Sequence, residues 1–100
     1  MIIGKIKEVY NDKNLPSIYD LIREKPIEHK AKISEYLRNG KIEAYAPGRV
    51  KDIISGQYID CDLCCYTDGK YEWRSDTIYY FDKYNLKLDD EFILHVLRTK

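Results

Sequence analysis

Nowhere does this chain run apolar for more than four residues in a row, which excludes a membrane-spanning helix of the usual ~20 apolar residues. The opening segment, MIIGKIKEVY, lacks the long apolar stretch and small-residue cleavage site of a secretory signal, so a cytoplasmic location is expected. Glycine and proline are scarce, at 5 and 3 residues. The glycines stand singly at turns, so neither a glycine-rich phosphate loop nor a flexible linker can be drawn. Histidine is scarcer still: His29 and His95 stand far apart, and His29, among charged neighbours, reads as a surface residue. A net charge is missing too, since 17 Lys/Arg balance 17 Asp/Glu. That balance removes the simplest argument for binding nucleic acid, which needs a surplus of cations on one face. The halves differ, however, with ten basic and seven acidic side chains in residues 1–50 against seven and ten in residues 51–100. Such a bias reads first as a solvated surface and second as a preference for a basic partner.

What is present describes an ordinary globular chain. One hundred residues, 44% apolar and 34% charged, suit a single domain over 1–100 with a real but modest core. Residues 1–10 are ambiguous between helix and strand, because Ile3, Ile6 and Val9 keep helical spacing while β-branched residues favour strands. Ser17, after Pro16, opens a predicted helix SIYDLIREK, with Asp20 completing the cap. Pro26 separates it from a second, PIEHKAKISEYLRN, ending in a left-handed cap at Asn39-Gly40. Strand spacing follows in KIEAYA, with Ile42, Ala44 and Ala46 on one face and Glu43 and Tyr45 on the other. Pro47-Gly48 turns the chain or ends that strand, and RVKDII resumes extended structure up to Ser55-Gly56. Asp68-Gly69 turns it again. Ser75 or Asp76 caps a third helix that Asn85 ends, and Asp89 caps a fourth, with Leu88 and Ile93 at staple spacing. The predicted fold class is α+β: a small antiparallel sheet of three to four strands flanked by two N-terminal and two C-terminal helices.

The stretch from 58 to 88 organises the rest, holding the only tryptophan, all three cysteines and six of the ten tyrosines. In QYIDCDLCCY, alternation puts Ile59, Cys61, Leu63 and Cys65 on a core face. Tyr58, Asp60, Asp62, Cys64 and Tyr66 take the opposite, solvent- or partner-facing side. Cys61 and Cys64 form a Cys-x-x-Cys pair, but a strand sends their sulfurs to opposite faces, and two further zinc ligands are lacking. No helix start is present to lower a thiol pKa for redox work, so reduced thiols in the core are expected. Asp60 with Asp62, and Asp89-Asp90-Glu91 at a helix start, are the paired carboxylates; neither has the second cluster that hydrolysis or metal binding would need. A Ser or Cys nucleophile triad has its parts but no connecting spacing. The expectation is a protein that is not an enzyme and holds no cofactor or metal.

Ten tyrosines exceed what so small a core can satisfy, since each buried hydroxyl needs a partner. Tyrosine and tryptophan bring large contact area with few rotors to freeze, which suits a binding surface. Tyr58, Asp60, Asp62 and Tyr66 are therefore the candidate interface residues. Tyr71 and Trp73 share one face of the next strand, and Trp73 is expected to be buried.

Two segments follow a recurring pattern. The first contains Tyr36, Leu37, Asn39 and Gly40, then Pro47, Gly48, Lys51 and Asp52. The second contains Thr67, Asp68, Gly69, Tyr71 and Trp73, then Asp76, Tyr79, Tyr80, Lys83, Tyr84, Leu88 and Phe92. Over most of residues 14–95 this resembles a family of small bacterial cytosolic immunity proteins of polymorphic and contact-dependent toxin systems. The segment from Thr67 to Phe92 is its specific portion. Ala46 stands where that pattern usually has Ser, and the cysteine-rich strand departs from it as well. The resemblance implies a protein that neutralises a cognate toxin by occlusion and supplies no catalytic residues. A basic, nuclease-type toxin is among the partners an acidic, Tyr-rich face would fit, with no membrane and no nucleic acid as partner. The alternative reading is a small nucleic-acid-binding or regulatory module that stacks bases on exposed aromatics. A small cofactor-free enzyme is a third.

Overall fold

The computed structural model describes residues 1–98, and the side chains of these except Pro47, Asp60 and Cys61. Five helices and three strands follow one another as α1 (Lys7–Tyr10), α2 (Ile18–Leu21), α3 (Lys30–Arg38), β1 (Lys41–Lys51), β2 (Tyr58–Thr67), β3 (Glu72–Arg74), α4 (Ser75–Tyr84) and α5 (Asp90–Arg98). The strands form one antiparallel sheet in the order β1-β2-β3. This is the α+β arrangement the sequence predicts, with one extra helical turn at the front.

Both readings of residues 1–10 are realised in succession. Ile2 forms a parallel bridge to Glu72, with Ile3 N–H donating to the Glu72 carbonyl at 2.9 Å and Glu72 N–H to the Met1 carbonyl at 2.8 Å. After Gly4, whose φ of 72° suits glycine, the chain winds into α1. Ile3 and Ile6 are both buried in the core. Glu8 of α1 accepts from the Ser17 hydroxyl at 2.6 Å and the Ile18 amide at 2.8 Å, so the start of α2 is capped from outside as well as by Ser17.

Several predicted boundaries move, each for a visible reason. The helix expected over residues 17–25 stops at Leu21, because its next backbone groups find partners after α4. Lys87 N–H donates to the Leu21 carbonyl at 2.9 Å, and Arg23 N–H to the Tyr84 carbonyl at 3.0 Å. The second helix starts at Lys30 instead of Pro26, after His29 in a left-handed conformation. Its end is not left-handed: Asn39 has φ −87° and ψ 2°. Gly40 is required by space instead, since a Cβ there would stand 2.6 Å from Trp73 Cζ2. Nor does Pro47-Gly48 end the strand. β1 runs through it as a bulge, where Ala46 faces Leu63 and Arg49 already faces Asp62. A bulge needs no ladder hydrogen bond from the proline nitrogen, and Gly48 takes the φ of 113° there.

Bulging also overturns the predicted faces of β2. The register slips again between the Arg49–Asp62 and Lys51–Tyr58 pairs, so alternation does not carry from one end of the strand to the other. Ile59 is buried as expected, but Cys64 is buried too, and Tyr66 packs on the core. Leu63 and Cys65, assigned to the core face, are only half-buried. Cys61 lies outside the described side chains.

The core is a single cluster in which Trp73, Tyr71 and Phe92 meet Ile33 and Leu37 of α3, Ile78 and Phe81 of α4 and Val96 of α5. Phe92 sets its ring 5.2 Å from Tyr71 and 5.5 Å from Trp73. The Trp73 indole donates to the Leu37 carbonyl at 3.0 Å, satisfying both the buried N–H and an orphan carbonyl near the α3 terminus. Ser75 begins α4 but does not cap it. Its hydroxyl takes the Cys64 amide at 3.1 Å and gives to the Asp62 carbonyl at 3.1 Å, filling the rung beyond the end of β3. Asp76 grips Arg74 with two bonds, at 3.0 and 2.9 Å.

Candidate functional site

Two carboxylates hold the loops of this fold against its helices. Asp52, at the exit of β1, has no accessible surface (0%). One oxygen accepts the Ile54 and Ser55 amides at 2.8 and 3.1 Å, forming the turn; the other accepts the Tyr79 and Tyr84 hydroxyls, each at 2.6 Å. Lys83 lies 3.8 Å away and covers both tyrosine rings. Burial alone would push the Asp52 carboxyl up, but the two hydroxyls and two amides outweigh it and hold the group at about 2. Tyr80 completes the junction, accepting the Ile53 amide at 3.0 Å, and burial pushes its phenol up to about 12.

Asp68 repeats the device at the β2–β3 turn. Its Oδ1 accepts the Lys70 and Tyr71 amides at 2.9 and 2.7 Å, and its Oδ2 faces the Tyr36 hydroxyl and His95 Nε2, the latter at 2.9 Å. Burial again works against the charge, and these bonds win, leaving the carboxyl below its usual range. Residues from both halves of the recurring pattern thus meet in space: Asp52 with Tyr79, Tyr80, Lys83 and Tyr84, and Tyr36 with Asp68. Each is occupied in tying one element to another, and among the described residues no buried side-chain nitrogen or oxygen lacks a partner.

The side chains left without such work gather beside β1. A groove of about 580 Å³ runs between the helix-facing side of β1–β2 and the stripe Ser75, Ile78, Tyr79 and Asp82 of α4, with Arg38 of α3 at its end. Ile42 and Tyr45 stand opposite Tyr66 and Cys64, and a slip at Glu43 brings both to this side instead of opposite faces. Tyr45 is 70% exposed and Ile42 39%, although both belong to a strand. Asp82 takes the Ser34 hydroxyl at 2.6 Å and pairs with Arg38, closing the charged rim. The arrangement is an apolar floor with polar edges, the anatomy of a protein-binding patch. Nothing in it couples a nucleophile to a base.

The predicted interface residues separate here. Asp62 and Tyr66 both line the groove, Asp62 exposed and Tyr66 half-buried against the core. Tyr58 lies at the other end of β2, 60% exposed with Lys51 Nζ 5.2 Å from its ring centre. The Asp60 side chain lies outside the described residues. Tyr45 was missed because simple alternation aimed it away from the helices. The usable signal was a large aromatic among small residues, in the strand that follows a helix directly.

Cys64 and Cys65 are free thiols, and among the described residues no three His, Cys, Asp or Glu side chains come together to hold a metal. Among those residues, too, no helix is long and apolar enough to cross a membrane. No protein-family model, curated protein or solved structure matches the chain.

Proposed function

We propose that this protein is an immunity protein that binds a cognate bacterial toxin and neutralises it by occlusion, without catalysing a reaction of its own. The observation that carries the reading is the division of labour between side chains. The pattern residues are consumed in two saturated carboxylate junctions, while Ile42 and Tyr45 are left bare over an apolar groove. A preformed surface of this kind loses little conformational entropy when covered, so contact area converts efficiently into affinity. Asp62, exposed at the rim, meets a basic group of the toxin and speeds encounter.

The test is co-expression with the toxic C-terminal domain encoded immediately upstream in the source genome. Cells making the toxin domain alone stop growing, and cells making both chains grow and yield a complex on purification. Growth arrest that the chain cannot relieve, with no complex formed, would sink the reading.

A further inference from the structure

The two outer edges of the sheet are treated differently. On the β3 side the N-terminal residues lie along the edge, exchanging backbone bonds of 2.9 and 2.8 Å with Glu72. On the β1 side no described segment bonds to the outer edge, although β1 is the longest strand at 11 residues. Proteins blunt such edges with prolines, bulges and lysines. In β1 these devices guard only the far part: Pro47 and Gly48 form the bulge, and Arg49 and Lys51 follow. The near part, Ile42 to Ala46, is exposed throughout and opens onto the groove.

From this asymmetry we propose that the toxin supplies an extended segment that adds to the open edge of β1 along Ile42–Ala46. One of its apolar side chains enters the groove beside Tyr45, and an acidic one meets Lys41. The inference rests on the toxin-binding reading and names how that binding is made. Strand addition fits because backbone bonds along the edge supply affinity while the groove at one register position supplies selectivity. The charge pattern names the occupant. β1 exposes Lys41, Arg49 and Lys51 against the single carboxyl of Glu43, which the Glu72 carboxyl beside it opposes. A second copy of this chain fits worse, since antiparallel self-pairing centred on Ala46 sets Lys41 against Lys51.

Hydrogen exchange on the complex with the upstream-encoded toxin domain tests this directly. The amides of residues 42–46 that face outward should exchange at least about tenfold more slowly in the complex than in the free protein. Proline replacements give a second readout. Successive residues along 44–46 pair regularly with 65–63, so the outward N–H belongs to either Ala44 or Tyr45. Of Ala44→Pro and Tyr45→Pro, the variant that keeps the wild-type melting temperature should bind the toxin domain at least about tenfold more weakly. For Tyr45→Pro the loss is read against Tyr45→Ala. A neutralising complex whose 42–46 amides exchange as in the free protein would overturn strand addition and leave the toxin-binding reading standing. A free protein that is already a dimer, with those amides protected, would overturn it as well. Absence of any complex would sink the toxin-binding reading itself.

Discussion

The β3 side and the β1 side of this sheet are built on opposite terms. Around β3, every polar group is matched: the N-terminal residues cover the edge, Trp73 donates into α3, Asp76 grips Arg74, and Asp68 joins the turn to α3 and α5. Around β1, an eleven-residue strand carries bulges, an unpaired edge and two bare apolar side chains. Stability is concentrated where the recurring pattern falls, and the surface least needed for folding lies opposite it. A binding protein that must hold one shape while its contact residues vary needs this separation, because interface changes then leave the fold alone.

The largest expected effect is on the matched side. Trp73→Ala should cost about 3–5 kcal/mol in urea unfolding, since it empties the centre of the cluster and deprives the Leu37 carbonyl of its donor. Gly40→Ala should cost about 1–3 kcal/mol by overpacking against the same ring, with an accompanying change in Trp73 fluorescence. A neutral outcome for either would remove the matched side of the comparison.

Next comes Asp52. Its folded-state value of about 2 lies below the ordinary 3.8, so its charge stabilises the fold above pH ~4 and that contribution fades as the pH falls towards 2. It is worth on the order of 2 kcal/mol at neutral pH. Asp52→Asn should lose about that much at pH 7, with the gap to wild type closing in acid. Asp68 is depressed in the same direction, so Asp68→Asn should show the same sign with a smaller loss at its less buried site. Equal losses would mean that burial of the Asp52 junction adds nothing. Smallest of all, Ile42→Ala, Tyr45→Ala and Tyr58→Ala should each leave stability within about 0.5 kcal/mol of wild type by thermal and urea unfolding.

How much of this was legible depended on whether the deciding contact was local. The Asp68-Gly69 turn, the stop at Asn85, the start after Asp89 and the buried Trp73 follow from neighbouring residues, and alternation or capping rules suffice for them. The short α2 was not legible, because the groups that end it lie beyond residue 83. The faces of β2 were not legible either: a slip in register leaves no mark in a strand whose residues are apolar or acidic on both sides. The candidate patch inherited that fault. Asp62 and Tyr66 reached the groove, Tyr58 did not, and Tyr45 entered only through the slip at Glu43. Asp52 was marked by the recurring pattern, yet its partners Tyr79 and Tyr84 became visible only once α4 was laid over the loop.

The most direct measurement is the affinity of Tyr45→Ala for the upstream-encoded toxin domain, taken beside its melting temperature. A loss of about 30-fold or more at an unchanged melting temperature is expected, the behaviour of a central contact residue. Wild-type affinity in that variant, together with loss of binding in an Asp68 or Asp52 variant that still folds, would place the working surface on the wrong side of the molecule.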